Sequence, residues 1–231
     1  MPATVPIANR KEVSIIGSDL TLIEGHIGDA GHLARSKAHE NGWFDLSTLQ
    51  EPYRVEGKKT MGYEIAEQMK WQLPDVIIYP TGGGTGIVGM WKAFVEMRDL
   101  GWISNAMPKM FSVQPEGCAP IVRAFNEGAK LAKTWSDVNT VAAGLRVPSA
   151  IGGYLILNVL RDSGGSAVTV TDEDIMSKLA EVSRLEGLLF CPEGAATIAG
   201  LERLLASGLV SSGERILLMN TGSGLKYLDL L

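Results

Sequence analysis

The most constraining feature of this chain is a run of glycines set between two strongly patterned segments. Val76-Ile77-Ile78-Tyr79 is short and continuously apolar, the pattern of a strand buried on both faces. Thr81-Gly82-Gly83-Gly84-Thr85-Gly86 follows at once, and Ile87 to Met97 continues as a helix. Strand, tight loop and helix in that order imply an α/β unit. Adjacent glycines are costly in chain entropy unless positive φ or close approach to the backbone is used. Their bare amides, together with the free N–H groups and positive dipole end of the following helix, suit an anion. A phosphate held by main-chain donors, without a lysine, is the expectation. The plainer alternative is a strand-to-helix turn with no ligand.

Which phosphate is a separate question. Gly84-x-Gly86-x-x-Gly89 matches the dinucleotide fingerprint formally. That fingerprint also wants an acid closing the next strand, about 20 residues on. Asp99 precedes the second strand and Glu116 lies well past the required place, so the match is poor. No G-x-x-x-x-G-K-[ST] occurs, which excludes a nucleoside triphosphate loop of that kind.

The rest of the chain alternates short β-rich runs with helical patterns, as a mostly parallel sheet flanked by helices requires. A short helix from Ala8 leads to an expected strand near Leu20–Ile23. Helices are expected over Asp29–Glu40 and over Gly57–Met69, where Met61, Ile65 and Met69 repeat at helical spacing. Met110–Val113 reads as a second strand before Gln114-Pro115-Glu116-Gly117, and Pro120–Glu127 as a helix. Ser149–Leu160 is an apolar helix candidate and Ala167–Val170 a strand. Thr171-Asp172-Glu173-Asp174 is a helix start with a capping side chain and acids in the first turn. Pro192–Leu205 is expected to be helical. Arg215–Met219 is the last strand, ending in Asn220-Thr221-Gly222-Ser223-Gly224.

A net charge of −5 argues against a nucleic-acid partner, and no basic block suggests an anionic membrane surface. No apolar run approaches the roughly 18 residues of a membrane span. Two well-separated cysteines, Cys118 and Cys191, fit a reducing, cytoplasmic setting better than a disulfide framework.

The flanks of the glycine loop carry a resemblance. Pro74 to Gly86 followed by Gly89-Met90-Trp91-Lys92-Ala93-Phe94, and upstream Glu51-Pro52-Tyr53-Arg54-Val55-Glu56-Gly57-Lys58-Lys59-Thr60-Met61-Gly62-Tyr63-Glu64, are similar to the threonine synthase family. So are Gly144-Leu145-Arg146-Val147-Pro148, Pro192-Glu193-Gly194-Ala195-Ala196-Thr197 and Asn220-Thr221-Gly222-Ser223-Gly224, in collinear order. The resemblance implies a fold type II enzyme dependent on pyridoxal 5′-phosphate (PLP), like the tryptophan synthase β chain. It further implies a soluble lyase of threonine biosynthesis acting on O-phosphohomoserine and water to give threonine and phosphate. Gly82, Gly83, Gly84, Thr85 and Gly86 would hold the cofactor phosphate, and Thr221 would face the pyridine nitrogen. Arg54 would meet the substrate phosphate, against the alternative of a surface ion-pair arginine. Glu193 could lie near the ring, but a first-turn helix glutamate is the duller reading.

One part of the family pattern is not found. The Schiff-base lysine belongs to a Ser-x-Lys-Asp-like motif that these residues lack, and Lys58 and Lys59 do not occupy its place. The expectation is therefore a C-terminal part of such an enzyme, inactive alone, with no catalytic lysine of its own. Residues 1–50 would be part of a smaller domain and 51–231 the larger, phosphate-binding one. Apolar surface left uncovered would favour self-association. A serine or threonine dehydratase-like lyase and a non-catalytic PLP- or phosphate-binding remnant are the alternatives.

The remaining candidates have bland readings. His26, His32 and His39 lack a completing cysteine or carboxylate pattern, so no metal site is expected. Cys118 and Cys191 are expected to be buried and structural, and Tyr63 and Trp91 to be core. Ser223 lacks the flanks of a nucleophile elbow.

Overall fold

A computed structural model describes residues 1–104 and 106–230. Four parallel strands form one sheet in the order β3-β2-β1-β4: β1 Val76–Pro80, β2 Lys109–Pro115, β3 Ser166–Val170 and β4 Ile216–Leu218. Ile77 of β1 lies beside Met110 of β2 on one side and Leu217 of β4 on the other. Ile77 and Tyr79 point into one core cluster and Val76 and Ile78 into another. This alternation, with both faces covered, explains why β1 is apolar throughout.

Helices α3 (Tyr53–Gln68), α4 (Thr85–Asp99), α5 (Pro120–Asn126) and α6 (Gly153–Asp162) contribute to the first cluster. The second lies under α7 (Asp172–Glu186) and α8 (Pro192–Ala206). Small residues bring α3 and α4 together: a Cβ at Gly62 would meet the Ala93 methyl at 2.7 Å, and one at Gly89 would meet Lys58 Cβ at the same distance. The α7 start behaves as its sequence implies, with Asp174 N donating to Thr171 Oγ1 at 3.0 Å.

Helices α1 (Ile7–Ile15) and α2 (Ile27–Asn41) precede this body. The strand expected near Leu20–Ile23 does not form; only a single parallel bridge joins Ile23 to Pro2. A run this short needs a neighbouring strand to satisfy its backbone, and here it has one bridging residue. The Ser149–Leu160 helix begins later, at Gly153, after bends and a turn. Tyr63 and Trp91 are half-buried against the core rather than inside it. No helix among the described residues is long and apolar enough to cross a membrane.

The strand order decides where a ligand can sit. From β1 the chain passes to β2 on one side, whereas β4 pairs on the other, so β1 and β4 flank the point where the winding reverses. In open parallel sheets the crevice beyond the carboxyl ends of such strands is the binding position. The glycine loop follows β1 there, and Asn220–Gly224 follows β4.

Candidate functional site

At this edge lies a cavity of about 450 Å³, within the usual range for small-molecule sites. Gly82, Gly83, Gly84, Thr85 and Gly86 line it together with Arg54 and Thr221. The structure thus brings every sequence-predicted site residue to one cavity.

The loop's amides are its main chemical resource. Thr81 N is engaged by Val113 O at 2.9 Å and Val88 N by Gly84 O at 3.1 Å. Between them, the amides of Gly82, Gly83, Gly84, Thr85 and Gly86 donate to no group among the described residues. All but Gly83 belong to buried residues. Buried amides without partners are rare and costly, and an anion in the cavity would satisfy them. Gly84 precedes α4 with φ +78°, in the left-handed region glycine favours. A Cβ at Gly82 would reach Gly144 O at 2.5 Å, so that glycine is set by close packing. Thr85, 7% exposed, adds a hydroxyl to the same wall.

Arg54 stands in the first turn of α3 on another wall. Its Nη1 donates to Thr48 Oγ1 at 2.8 Å and to Leu46 O at 3.3 Å, which aims the guanidinium without neutralising it. Both partners are uncharged oxygens. Arg54, Thr48, Gly83 and Gly144 are shared with an adjoining chamber of about 910 Å³. Arg35, Arg146 and His32 also line that chamber, and no Asp or Glu does among the described residues.

Of the two adjacent lysines, Lys58 borders the cavity. Lys59 is tied to Glu96 at 2.5 Å and Glu56 at 3.0 Å, and these carboxylates hold its ammonium well above the ordinary lysine range. Lys226 also borders the cavity and pairs with Glu12.

Glu193 is what the sequence undersold. Pro192 at the helix start suggests an exposed first-turn acid, yet Glu193 is 6% exposed. Its Oε1 accepts from Gly144 N at 2.7 Å and from the Tyr227 hydroxyl. The carboxylate thus joins α8, the Ala143–Leu145 turn and the C-terminal Gly224–Tyr227 turn. The only sequence signal was the collinear position of Glu193 and the Asn220–Gly224 segment. Burial and the Glu193 charge drive the Tyr227 hydroxyl far above its usual range.

Cys191 caps α8 by accepting from Gly194 N at 3.3 Å. Burial, then the Glu193 charge, pushes its thiol from 9.0 to about 12. Cys118 is buried and shifted upward too, mainly by desolvation. Native Cys191 should therefore react with alkylating reagents at pH 8 about a thousandfold more slowly than in the unfolded chain. Peptide mapping after timed labelling checks this; equal rates would exclude it. Because the unfolded thiol ionises first, this group lowers folding stability as pH rises from about 9 towards 12. His32 Nδ1 contacts Arg35 Nη2 at 2.9 Å, and no group of three or more His, Cys, Asp or Glu suited to a metal occurs among the described residues.

Comparison with known proteins agrees with this geometry. The chain is 36% identical over 210 residues to a threonine synthase of Methanosarcina acetivorans, covering 91% of this chain and 51% of that protein. Over 225 residues it is 34% identical to a threonine synthase of Methanocaldococcus jannaschii, covering 97% and 55%. It thus spans about half the length of these relatives. Among solved structures, the processed threonine deaminase isoform 2 of Solanum lycopersicum superposes with TM-score 0.76 at 22% identity, covering 100% of this chain and 63% of that one. Maize serine racemase gives 0.75 at 20%, covering 99% and 67%. These likenesses establish the fold type II architecture. A family profile for pyridoxal-phosphate dependent enzymes matches residues 1–222. With that match, and a phosphate-ready loop at the switch point of a parallel sheet, the chain belongs to the pyridoxal-phosphate dependent enzymes, whose cofactor is PLP.

Proposed function

We propose that this chain is the phosphate-binding part of a threonine synthase, an enzyme that converts O-phosphohomoserine and water into threonine and phosphate. One observation carries the reading: a single cavity presents two separate groups suited to phosphate. The unpaired amides of Gly82 to Gly86 form one, and Arg54 the other. A phosphorylated cofactor and a phosphorylated substrate need two such places. The names of the sequence relatives support the same reaction.

The residues present fit the cofactor, because five buried or half-buried amides with no partner suit its phosphate dianion. When bound, PLP supplies an electron sink for negative charge on the carbons near the substrate's amino group. In this reading Gly82–Gly86 and the Thr85 hydroxyl bind its phosphate. The Thr221 hydroxyl, which lines the cavity, would be a neutral partner for the ring nitrogen and would leave it unprotonated. Arg54 holds the substrate phosphate with its planar fork, already oriented by Thr48 and Leu46. Arg35 and Arg146 in the adjoining chamber attract the phosphorylated substrate towards it. Lys58 and Lys226 border the cavity without carrying the cofactor, so the 231 residues by themselves bind but do not turn over. Residues 1–50 belong to a smaller domain and 51–231 to the phosphate-binding one. The two core clusters, which draw their buried residues only from Ala66 onward, support that division.

The test is calorimetric binding of O-phosphohomoserine in the presence of PLP. Saturable binding that weakens about tenfold or more in Arg54→Ala is expected, from the loss of charge-assisted hydrogen bonds. Tighter binding of free serine or threonine, or release of a 2-oxo acid, would instead support a dehydratase-like lyase. Borohydride reduction with PLP should label no single lysine.

A further inference from the structure

We propose that the Tyr79 hydroxyl is a side-chain donor to the phosphate seated on the glycine loop, which makes Tyr79 a ligand-binding residue in addition to the loop itself. The proposal rests on the reading of the loop as a phosphate site.

Tyr79 occupies the carboxyl half of β1 and is 9% exposed. Its ring packs in the core cluster beneath α3 to α6 and lines the cavity. The hydroxyl has no hydrogen-bond partner among the described residues. It is not sealed off, however. Ser112 Oγ, on the neighbouring strand, is fully enclosed and partnerless, whereas the Tyr79 oxygen is not among the enclosed atoms. A phenol oxygen that finds no partner in the protein yet opens on the cavity is placed to meet a ligand there, and phenylalanine would fill the same core space without it. Packing alone therefore does not explain the oxygen.

The loop is shaped around it. A Cβ at Gly86 would overlap the Tyr79 hydroxyl and lie 2.5 Å from its Cζ. Gly86 has an ordinary helical φ, so conformational freedom is not its reason for being glycine. The missing side chain leaves room for the phenol oxygen against Gly86, in the first turn of α4. Lys58 and Arg54 border the same part of the molecule as cavity-lining residues. Desolvation raises the phenol to about 12, so it remains a neutral O–H donor across the working pH range. A neutral donor suits a phosphate monoester dianion already facing several amides, because it adds a hydrogen bond without a charge.

Tyr79→Phe removes one oxygen and keeps the ring. Inorganic phosphate, PLP and pyridoxal are titrated against the parent and variant chains by calorimetry, with thermal melts to confirm folding. Phosphate and PLP should each bind about tenfold more weakly to the variant, and pyridoxal, which lacks the phosphate, within twofold of the parent. Phosphate and PLP affinities unchanged within twofold would overturn the role of Tyr79 and leave the loop reading intact. An equal loss for pyridoxal would also overturn it, because the phenol would then be acting on the ring. Absence of saturable phosphate binding by the parent would overturn both readings. If Tyr79→Phe folds poorly, fluorotyrosine placed at position 79 answers the question by fluorine NMR. Its resonance should move with phosphate saturation, and a resonance that stays fixed would sink the proposal.

Discussion

Gly84→Ala is expected to lower the melting temperature by about 6–12 °C and to weaken phosphate binding about a hundredfold. The residue holds φ +78° at the start of α4, where an L side chain costs about 1–2 kcal/mol. The added Cβ would also overlap the Ile156 side chain of α6, buried in the first core cluster. Overpacking of that kind costs about 1–3 kcal/mol more. Together the two effects amount to about 3 kcal/mol, and a chain of this size loses about 2–4 °C for each. Relief of the clash must move the loop away from α6, which turns amides away from the cavity. Losing one or two hydrogen bonds to a dianion accounts for the hundredfold. Gly83→Ala is the comparison: its Cβ meets only Thr48 Cγ2, at 3.1 Å, and should do much less. A thermal melt and a phosphate titration of both variants decide the matter. Equal behaviour of the two would mean that the left-handed turn is not what organises the cradle.

Glu193→Ala should cost about 3 kcal/mol, and Glu193→Gln less than about 1. The alanine variant leaves the Tyr227 hydroxyl buried without its acceptor, at about 1–3 kcal/mol, and takes from the Gly144 N–H a hydrogen bond to a charged group, worth about 1.5 kcal/mol. Glutamine keeps an oxygen in place and can serve both donors. The larger consequence is local. Tyr227 fastens the Gly224–Tyr227 turn, and with it the segment that carries Thr221 to the cavity. The other ties of that segment include Gly224 N to Leu189 O at 3.0 Å, Cys191 Sγ to Asn220 Oδ1 at 3.5 Å, a bridge between Phe190 and Ser223, and the Lys226–Glu12 pair. Limited proteolysis should therefore cut between Asn220 and Asp229 markedly faster in Glu193→Ala than in Glu193→Gln. If the two variants melt and cleave alike, the carboxylate is not acting as this anchor.

The elements that were legible share a property: each is fixed by a local pattern. Val76–Tyr79 is apolar at every position because both faces of β1 are covered, and no other placement suits such a run. Thr171 and Asp174 specify a helix start within four residues, and the capping hydrogen bond forms as expected. The free amides of the loop Thr81–Gly86 could be anticipated because they belong to its own backbone. Leu20–Ile23 misled for the opposite reason. A strand is defined by the partner beside it, and this one has only a single bridge to Pro2.

The sequence by itself determined an α/β chain with a phosphate-suited loop between its first strand and the helix that follows, since strand, loop and helix propensities act over a few residues. Only the tertiary structure decided what surrounds that loop. It set β4 beside β1, and so brought Thr221 to the same crevice from far along the chain. It buried Glu193 against Gly144 and Tyr227, and laid the Tyr79 phenol against a glycine seven residues later. These are contacts between segments distant in sequence or on opposite sides of a turn. Their energies depend on desolvation and close packing, which arise only when the layers meet.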